Sequence, residues 1–347
     1  MNSLNILYMG PNSGTCRQRA QALRRLGHKV CTLAPRSFLP DNSWINFWIW
    51  RTGARFMEAV LARRVLAALP DCDFDLVWID GGDLIAPSLV RELKNRFGRV
   101  INYNIDDPYG SRDSRRWRLY LESLPFYDLL IVMREQNVLE ARSLGAKNVL
   151  RVFMSADEIA HAPRQLDAAD WQKWASEVLF LGTWMPDRGP FLSRLVELGV
   201  PLAIYGDRWQ KAREWSRLRS HWRGAGLHST DDYAKAIQCA KICLGLLSKG
   251  NRDLHTTRSS EIPFLGSLFC AERTSEHMSL YSDGVEAVFW DSPEECAKHC
   301  FQLLADNELR ATIARNGQAR CIRNGTLNQP TLLSILQAAL AEDQSAV

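Results

Sequence analysis

The sequence predicts an α/β protein of two Rossmann-like domains facing each other across a cleft. Three observations predict it. The 347 residues suit two domains of about 100–200 residues each. Short apolar runs alternate with helix-length amphipathic segments from the first residues onward. That alternation stops near residue 161 and restarts near residue 177.

In the first domain, placed over 1–163, candidate strands lie at 4–9, 28–33, 74–79, 99–104, 127–132 and 148–153. Helix-length segments separate most of them, at 15–26, 54–69, 87–97 and 135–144. Runs that are apolar on both faces and spaced by helices predict a parallel sheet covered on both sides. Residues 164–176 follow as a linker, within the stretch 161–175 that holds Pro163, scattered charges and no sustained apolar period. The second domain, 177–325, restarts with candidate strands at 177–182, 201–206, 241–247, 267–271 and 286–290. Ser292 and Glu295 have the spacing of a capping box for a helix over 293–304. A last helix, about 331–341 within the segment 326–347, follows Pro330 and is expected to pack back on the first domain.

The bulk composition is that of a globular protein with a substantial core, 46% hydrophobic and 24% charged. A net charge of +4 falls short of a dedicated nucleic-acid binder and suits anionic ligands such as nucleotide phosphates. Nine cysteines with no C-x-x-C pair read as reduced thiols. Cys239 with Cys243 and Cys296 with Cys300 are spaced four apart, without histidines to complete a zinc site. No apolar run approaches the ~20 residues of a membrane span and no leader is visible. The expected location is the cytoplasm, at most peripheral to the inner face of a membrane.

The first candidate strand ends in Gly10-Pro11-Asn12-Ser13-Gly14 and leads into a helix. Such a turn, with Gly10, Ser13 and Gly14 as its candidate contacts, can set backbone N–H groups against an anion or an acceptor. A glycine needed only for backbone geometry is an equal alternative. The G-x-G-x-x-G spacing is missing, and the second strand ends in Leu33-Ala34-Pro35 with no acid for a ribose. Hydride transfer on a dinucleotide is therefore not expected.

Chemistry concentrates in 248–274, where Lys249, Arg252, Asp253, His255, Thr256, Arg258 and Glu261 crowd between two apolar strands. Loops at strand ends of an open parallel sheet are where ligands bind. Carboxylates can hold the vicinal hydroxyls of a ribose or hexose, while Arg, Lys and hydroxyls offset a diphosphate. Ordinary surface ion pairs are the alternative for this stretch.

The stretch resembles the C-terminal domain of CgeB-like (spore maturation protein-like) glycosyltransferases, relatives of the retaining group 1 enzymes with the GT-B fold. The likeness rests on Phe180-Leu181-Gly182-Thr183-Trp184-Met185-Pro186-Asp187-Arg188, Ile204-Tyr205-Gly206, and Asp232-Tyr233-Ala234-Lys235. It continues through Asn251-Arg252-Asp253, His255-Thr256, Arg258 and Glu261-Ile262-Pro263, then Ser292-Pro293-Glu294-Glu295. In the first domain Gly81-Gly82-Asp83, Asp106-Asp107-Pro108 and Leu144-Gly145-Ala146-Lys147 also fit. The resemblance implies that Glu261 holds the nucleotide ribose and that Asp253 approaches the donor sugar. Asp253 is an aspartate where the wider superfamily prefers glutamate. Arg188 and Arg258 are implied to meet the diphosphate, with Arg252, His255, Thr256, Gly182 and Thr183 around the donor. Asp106 and Asp107 fall on the acceptor side, where one would orient or activate the acceptor hydroxyl; an N-cap or turn before Pro108 is the alternative.

The implied reaction moves a sugar from a nucleotide diphosphate to a hydroxyl of a glycan, a lipid-linked acceptor or a protein, with retention. The nucleotide sugar is then a substrate, and no cofactor or metal is expected, because fixed cations stabilise the leaving diphosphate. Asp71-Cys72-Asp73 is read as a turn rather than a metal-binding D-x-D. A nucleotide-sugar epimerase and a catalytically silent binding protein of the same fold remain alternatives. Replacing Glu261 or Arg258 by alanine is expected to abolish transfer in a folded protein. Trp44-Ile45-Asn46-Phe47-Trp48-Ile49-Trp50, near Arg36, Arg51 and Arg55, could make a peripheral membrane contact. Burial of these large apolar side chains is the favoured reading. Residues 208–223 interleave arginines and tryptophans and are read as an amphipathic helix, not a nucleic-acid groove.

Overall fold

The computed structural model describes residues 2–113 and 115–341. The described chain divides into two compact units. The first holds residues 2–153, 250–252 and 328–341, and the second holds 154–249 and 253–327.

The sheet of the first unit has six parallel strands: β1 (Asn5–Met9), β2 (Lys29–Leu33), β3 (Leu76–Asp80), β4 (Val100–Tyr103), β5 (Leu129–Val132) and β6 (Val149–Arg151). Their order is β2-β1-β3-β4-β5-β6. Ile6 lies opposite both Val30 and Leu76, and Val77 opposite Val100, so apolar side chains stack across the sheet. Every residue of β3 and β4 is buried, as expected of strands covered on both faces. The helix Pro87–Phe97 shows how the covering layer is made. Pro87 opens it, and Leu89, Val90, Leu93 and Phe97 bury one face. Gly98, at φ 80°, closes it in a conformation that a side chain would strain. The helix Asn328–Ala341 buries Leu332, Ile335, Leu336 and Ala339 and packs against the helix Gly14–Arg25.

The second unit repeats the plan with β7 (Ser176–Leu181), β8 (Leu202–Tyr205), β9 (Trp222–Gly224), β10 (Ala240–Gly245), β11 (Phe269–Glu272) and β12 (Val288–Trp290), again all parallel. The order is β12-β11-β10-β7-β8-β9. Chain order reverses direction between β1 and β3 in one sheet and between β7 and β10 in the other. At such switch points adjacent loops leave in opposite directions and open a crevice at the carboxyl ends of the strands. In the second unit, the loops after β7 and β8 touch through backbone. A Cβ on Gly206 would sit 1.9 Å from the Gly182 carbonyl oxygen, so only glycine fits there.

Several local expectations are corrected. The stretch expected as a linker over 164–176 carries the helix Ala168–Trp174, opened by a capping box between Asp167 and Asp170, and Ser176 already begins β7. Residues 154–163 fall in the second unit rather than the first. The helix expected over 208–223 is absent. Arg208 takes a left-handed conformation, after which come a 3-10 turn, the four-residue helix Trp215–Leu218 and the edge strand β9. Ser292 does cap the helix Pro293–Ala305 by accepting from Glu295 N–H, but the Glu295 carboxylate accepts from Asp291 N–H instead of closing the box on Ser292. The tryptophan-rich stretch forms the helix Ser43–Thr52, in which only Ile49 is buried.

Candidate active site

The second unit gathers its polar side chains at the carboxyl ends of β7, β10, β11 and β12. A pocket of about 180 Å³ opens there, lined by Arg188, Leu246, Leu247, Lys249, Glu272 and Trp290 among others. Arg188 opens the helix Arg188–Glu197, and its guanidinium donates to the carbonyls of Thr183 (2.9 Å), Leu246 (3.2 Å) and Leu247 (3.3 Å). These bonds span the switch point and fix a cation on the pocket wall. Gly182 supplies its carbonyl to Trp209 Nε1 at 3.0 Å, so Gly182 and Thr183 act here through backbone oxygens. Lys249 pairs with Glu272 at the mouth.

Glu261 and Arg258 are not among the residues lining this pocket. They form a separate cluster on the helix Arg258–Phe264, in which Glu261 is buried and Arg258 half-buried. Glu261 Oε2 accepts from Tyr233 Oη at 2.6 Å and from Arg258 at 2.7 Å, while His161 Nε2 lies 3.4 Å from Oε1. His161 Nδ1 accepts from Asp157 N–H, which leaves the ring proton on the nitrogen facing Glu261. Burial alone would raise the Glu261 pKa. Arg258, His161 and Tyr233 outweigh it and hold the carboxylate below its ordinary range. His161 and Tyr233 were not singled out as site residues; they lie 100 and 28 residues from Glu261 in the chain.

His255 is buried, with Nδ1 bonded to Glu276 and Nε2 accepting from Met154 N–H at 2.8 Å. Both ring nitrogens are thus engaged inside the unit, and the ring ties the polar loop to the segment that opens the unit. Asp253 is buried just before it, its N–H donating to the Ser248 carbonyl at 3.3 Å. Thr256 is half-buried and donates its N–H to Ser259 Oγ at 3.1 Å.

In the first unit Arg252 makes a double fork. It donates to both Asp107 oxygens at 2.5 and 2.7 Å and to both Glu140 oxygens at 2.7 and 2.9 Å. Asn137 adds a bond to Asp107 at 2.9 Å. Burial pushes the Asp107 pKa up, but Arg252 and Asn137 bring it below the usual range. Asp107 is therefore a fixed anion engaged by Arg252, a poor acceptor of a substrate proton. Asp106 differs: burial raises its pKa, against the opposing pull of Arg116 and Arg134. Arg252 holds a left-handed backbone at φ 52°, a strained state for a side-chain-bearing residue.

At the β1–β3 switch point lies a polar centre that sequence reasoning missed. Asp80 ends β3, is buried, and is forked by Arg19 at 2.7 and 2.9 Å with Tyr8 Oη as a further donor. Gly10 lets it approach, since a Cβ there would meet Asp80 Cβ at 3.0 Å. Ser13 precedes the helix Gly14–Arg25 without capping it by its side chain, and Gly14 is left-handed. A pocket of about 360 Å³ beside this loop is lined by Tyr8, Gly10, Asn12 and Arg17 among others. An aspartate closing an apolar strand before Gly81-Gly82 was the available sign.

Asp71, Cys72 and Asp73 are exposed in a bend before β3. Cys270, Cys296 and Cys300 meet in the core with their sulfurs within 4.8 Å of one another. Among the described residues no fourth ligand joins them, and a closed zinc site needs four. Among the described residues no helix is long and apolar enough to cross a membrane.

Residues 188–330 match the model of a family described as glycosyl transferase-like. Both units also superpose on solved enzymes. Sucrose-phosphate synthase from Thermosynechococcus elongatus is 14% identical with a TM-score of 0.66, over 99% of each chain. The fold is GT-B. HepE of Anabaena, solved with UDP-glucose, is 13% identical with a TM-score of 0.65, over 99% of this chain and 100% of its own. The α,α-trehalose 6-phosphate synthase of Burkholderia multivorans is 12% identical with a TM-score of 0.66, over the whole of both chains. No curated protein sequence matches the chain.

Proposed function

We propose that this GT-B protein is a glycosyltransferase of the CgeB-like kind, moving a hexose-type sugar from a nucleotide diphosphate to a hydroxyl of a glycan, lipid or protein. The observation that carries the reading is where the glycosyl transferase-like match falls. It begins at Arg188 and spans the pocket-lining loop, Asp253 and Glu261. The second unit binds the donor. HepE binds UDP and UDP-glucose, so a uridine nucleotide is the first donor to try.

Transfer breaks the bond between the anomeric carbon and a diphosphate oxygen, and the leaving nucleotide keeps the electron pair. The acceptor oxygen bonds to the same carbon and its proton passes to the leaving phosphate. Arg188, fixed by three carbonyls, stabilises the charge that develops on the diphosphate, which is the work a metal ion would otherwise do. Lys249 adds a second cation at the same wall. Asp253 orients sugar hydroxyls. On the acceptor side Asp106 takes the orienting role, because Asp107 is engaged by Arg252. The anomeric configuration is retained. Peripheral contact with a membrane surface belongs to this reading.

The test is a thermal-shift panel of nucleoside diphosphates and their sugars, first without metal and then with magnesium. A ligand at a hundred times its dissociation constant adds about 2.7 kcal/mol to native stability. A shift with one nucleotide family, followed by acceptor-dependent release of that nucleotide, is the expected result. Interconversion of the donor sugar without acceptor would make the protein an epimerase instead. Silence across the panel in folded protein would overturn the reading.

A further inference from the structure

The first unit carries an aromatic face that the donor chemistry does not use. Along the helix Ser43–Thr52, Trp44 is 80% exposed, Phe47 54% and Trp50 51%. The turn that follows is strained. Gly53, Ala54 and Phe56 all have positive φ, and Phe56, at φ 69°, is 77% exposed. A phenylalanine held in the left-handed region and projected into solvent costs backbone energy without gaining burial. Large apolar patches of this kind mark contact surfaces.

Charge surrounds the aromatics. A pocket of about 520 Å³ beside the helix end is lined by Arg51, Arg55, Arg115 and Arg118, with Glu122 as its one acid. Arg118 is paired with Glu58 and Glu122. Among the described residues no acid pairs with Arg51, Arg55 or Arg115. A second pocket of about 400 Å³, lined by Trp50, Arg51 and Arg115 among others, joins tryptophan and guanidinium at one opening. Aromatics at headgroup depth beside arginines facing phosphate are the composition of an interfacial membrane surface.

We propose that this face docks the protein on an anionic bilayer, with Trp44, Phe47, Trp50 and Phe56 at the acyl boundary. The arginine pocket takes the phosphate of a lipid headgroup. The proposal rests on the membrane contact in the functional reading and not on the transfer chemistry. Apolar insertion supplies the anchor, and each unpaired arginine strengthens partition onto an anionic surface by about fivefold. A neutral bilayer offers no such charge term.

The experiment is co-sedimentation of the full chain with phosphatidylcholine vesicles, with and without about 30 mol% phosphatidylglycerol, at about 0.1 M salt. Binding to the anionic vesicles only, lost at about 0.5 M salt, is expected. The triple variant Arg51→Ala, Arg55→Ala, Arg115→Ala should weaken binding about a hundredfold. The pair Trp44→Ser and Phe56→Ser should weaken it on the same vesicles without loss of folding, because both side chains stand in solvent. No sedimentation of folded wild-type protein overturns the proposal, as does equal binding by either set of variants. A thermal shift with soluble glycerol phosphate, with no vesicle binding, would also overturn it and leave a free-anion pocket. The nucleotide panel reads the second unit independently, so failure of membrane docking and failure of the transferase reading are told apart.

Discussion

Glu261→Gln separates the charge of the buried carboxylate from its shape. In the wild type, Oε2 accepts two bonds, from Tyr233 and Arg258, and Oε1 faces the His161 N–H. Glutamine keeps one acceptor oxygen but turns an NH2 toward either Arg258 or His161, donor against donor. Truncating one partner of a buried pair costs about 3–5 kcal/mol. Arg258 remains about a third exposed, so water screens part of that loss, and the amide retains one bond. The expected cost is about 2 kcal/mol near pH 7. The pH dependence has a definite sign. The folded pKa of Glu261 is depressed, so its stabilisation is complete above the unfolded value of about 4.3 and is lost as pH falls through the folded pKa. Urea unfolding followed by circular dichroism should give a wild-type-to-variant gap that is flat from about pH 8 to about pH 5.5 and narrows below about pH 4.3. A variant as stable as wild type near pH 7, or a gap that stays constant in acid, would refute the reasoning. The consequence for activity assays is direct: alanine at 261 removes every partner of Arg258, Tyr233 and His161 there and should disturb folding, so glutamine is the cleaner probe.

Two shorter predictions follow. Arg252→Ala leaves the Asp107 carboxylate, with no side-chain exposure, on Asn137 alone; the cost should be about 3 kcal/mol, and Arg252→Lys should recover less than half because lysine cannot fork. Urea titration decides it, and a change below about 0.5 kcal/mol would sink it. Native protein treated with a thiol reagent should show Cys72 reacting fast and Cys31 slowly, with the seven buried thiols appearing only on unfolding; rapid modification of Cys270, Cys296 or Cys300 would mean that core opens.

The two sheets were legible because strands buried on both faces leave continuous apolar runs, as in β3 and β10. β9 was not, since Trp222–Gly224 is a three-residue edge strand with a single apolar side chain. The tryptophans between 208 and 223 suggested a helix face, but the left-handed Arg208 starts a chain path of short pieces. In the helix Ser43–Thr52 apolar residues surround the axis, so periodicity could not say which face would be covered. The sequence drew attention to the polar stretch that holds Asp253 and Glu261, yet neither residue lines the pocket beside Arg188. It could not show that Tyr233 and His161 close over Glu261, or that Arg252 is engaged by Asp107, because those contacts join distant parts of the chain.

The chain passes from one unit to the other four times, since residues 250–252 and the helix Asn328–Ala341 belong to the first. Neither unit is a single contiguous stretch. Cutting the polypeptide after residue 153 would strip the first unit of the helix that covers Gly14–Arg25 and of the guanidinium that neutralises Asp107. The two halves are therefore interlaced in sequence, and one could not be exchanged for that of a relative by a single crossover. Exchanging the second unit by recombination would need two matched segments, 154–249 and 253–327, or else substitutions confined to the pocket beside Arg188.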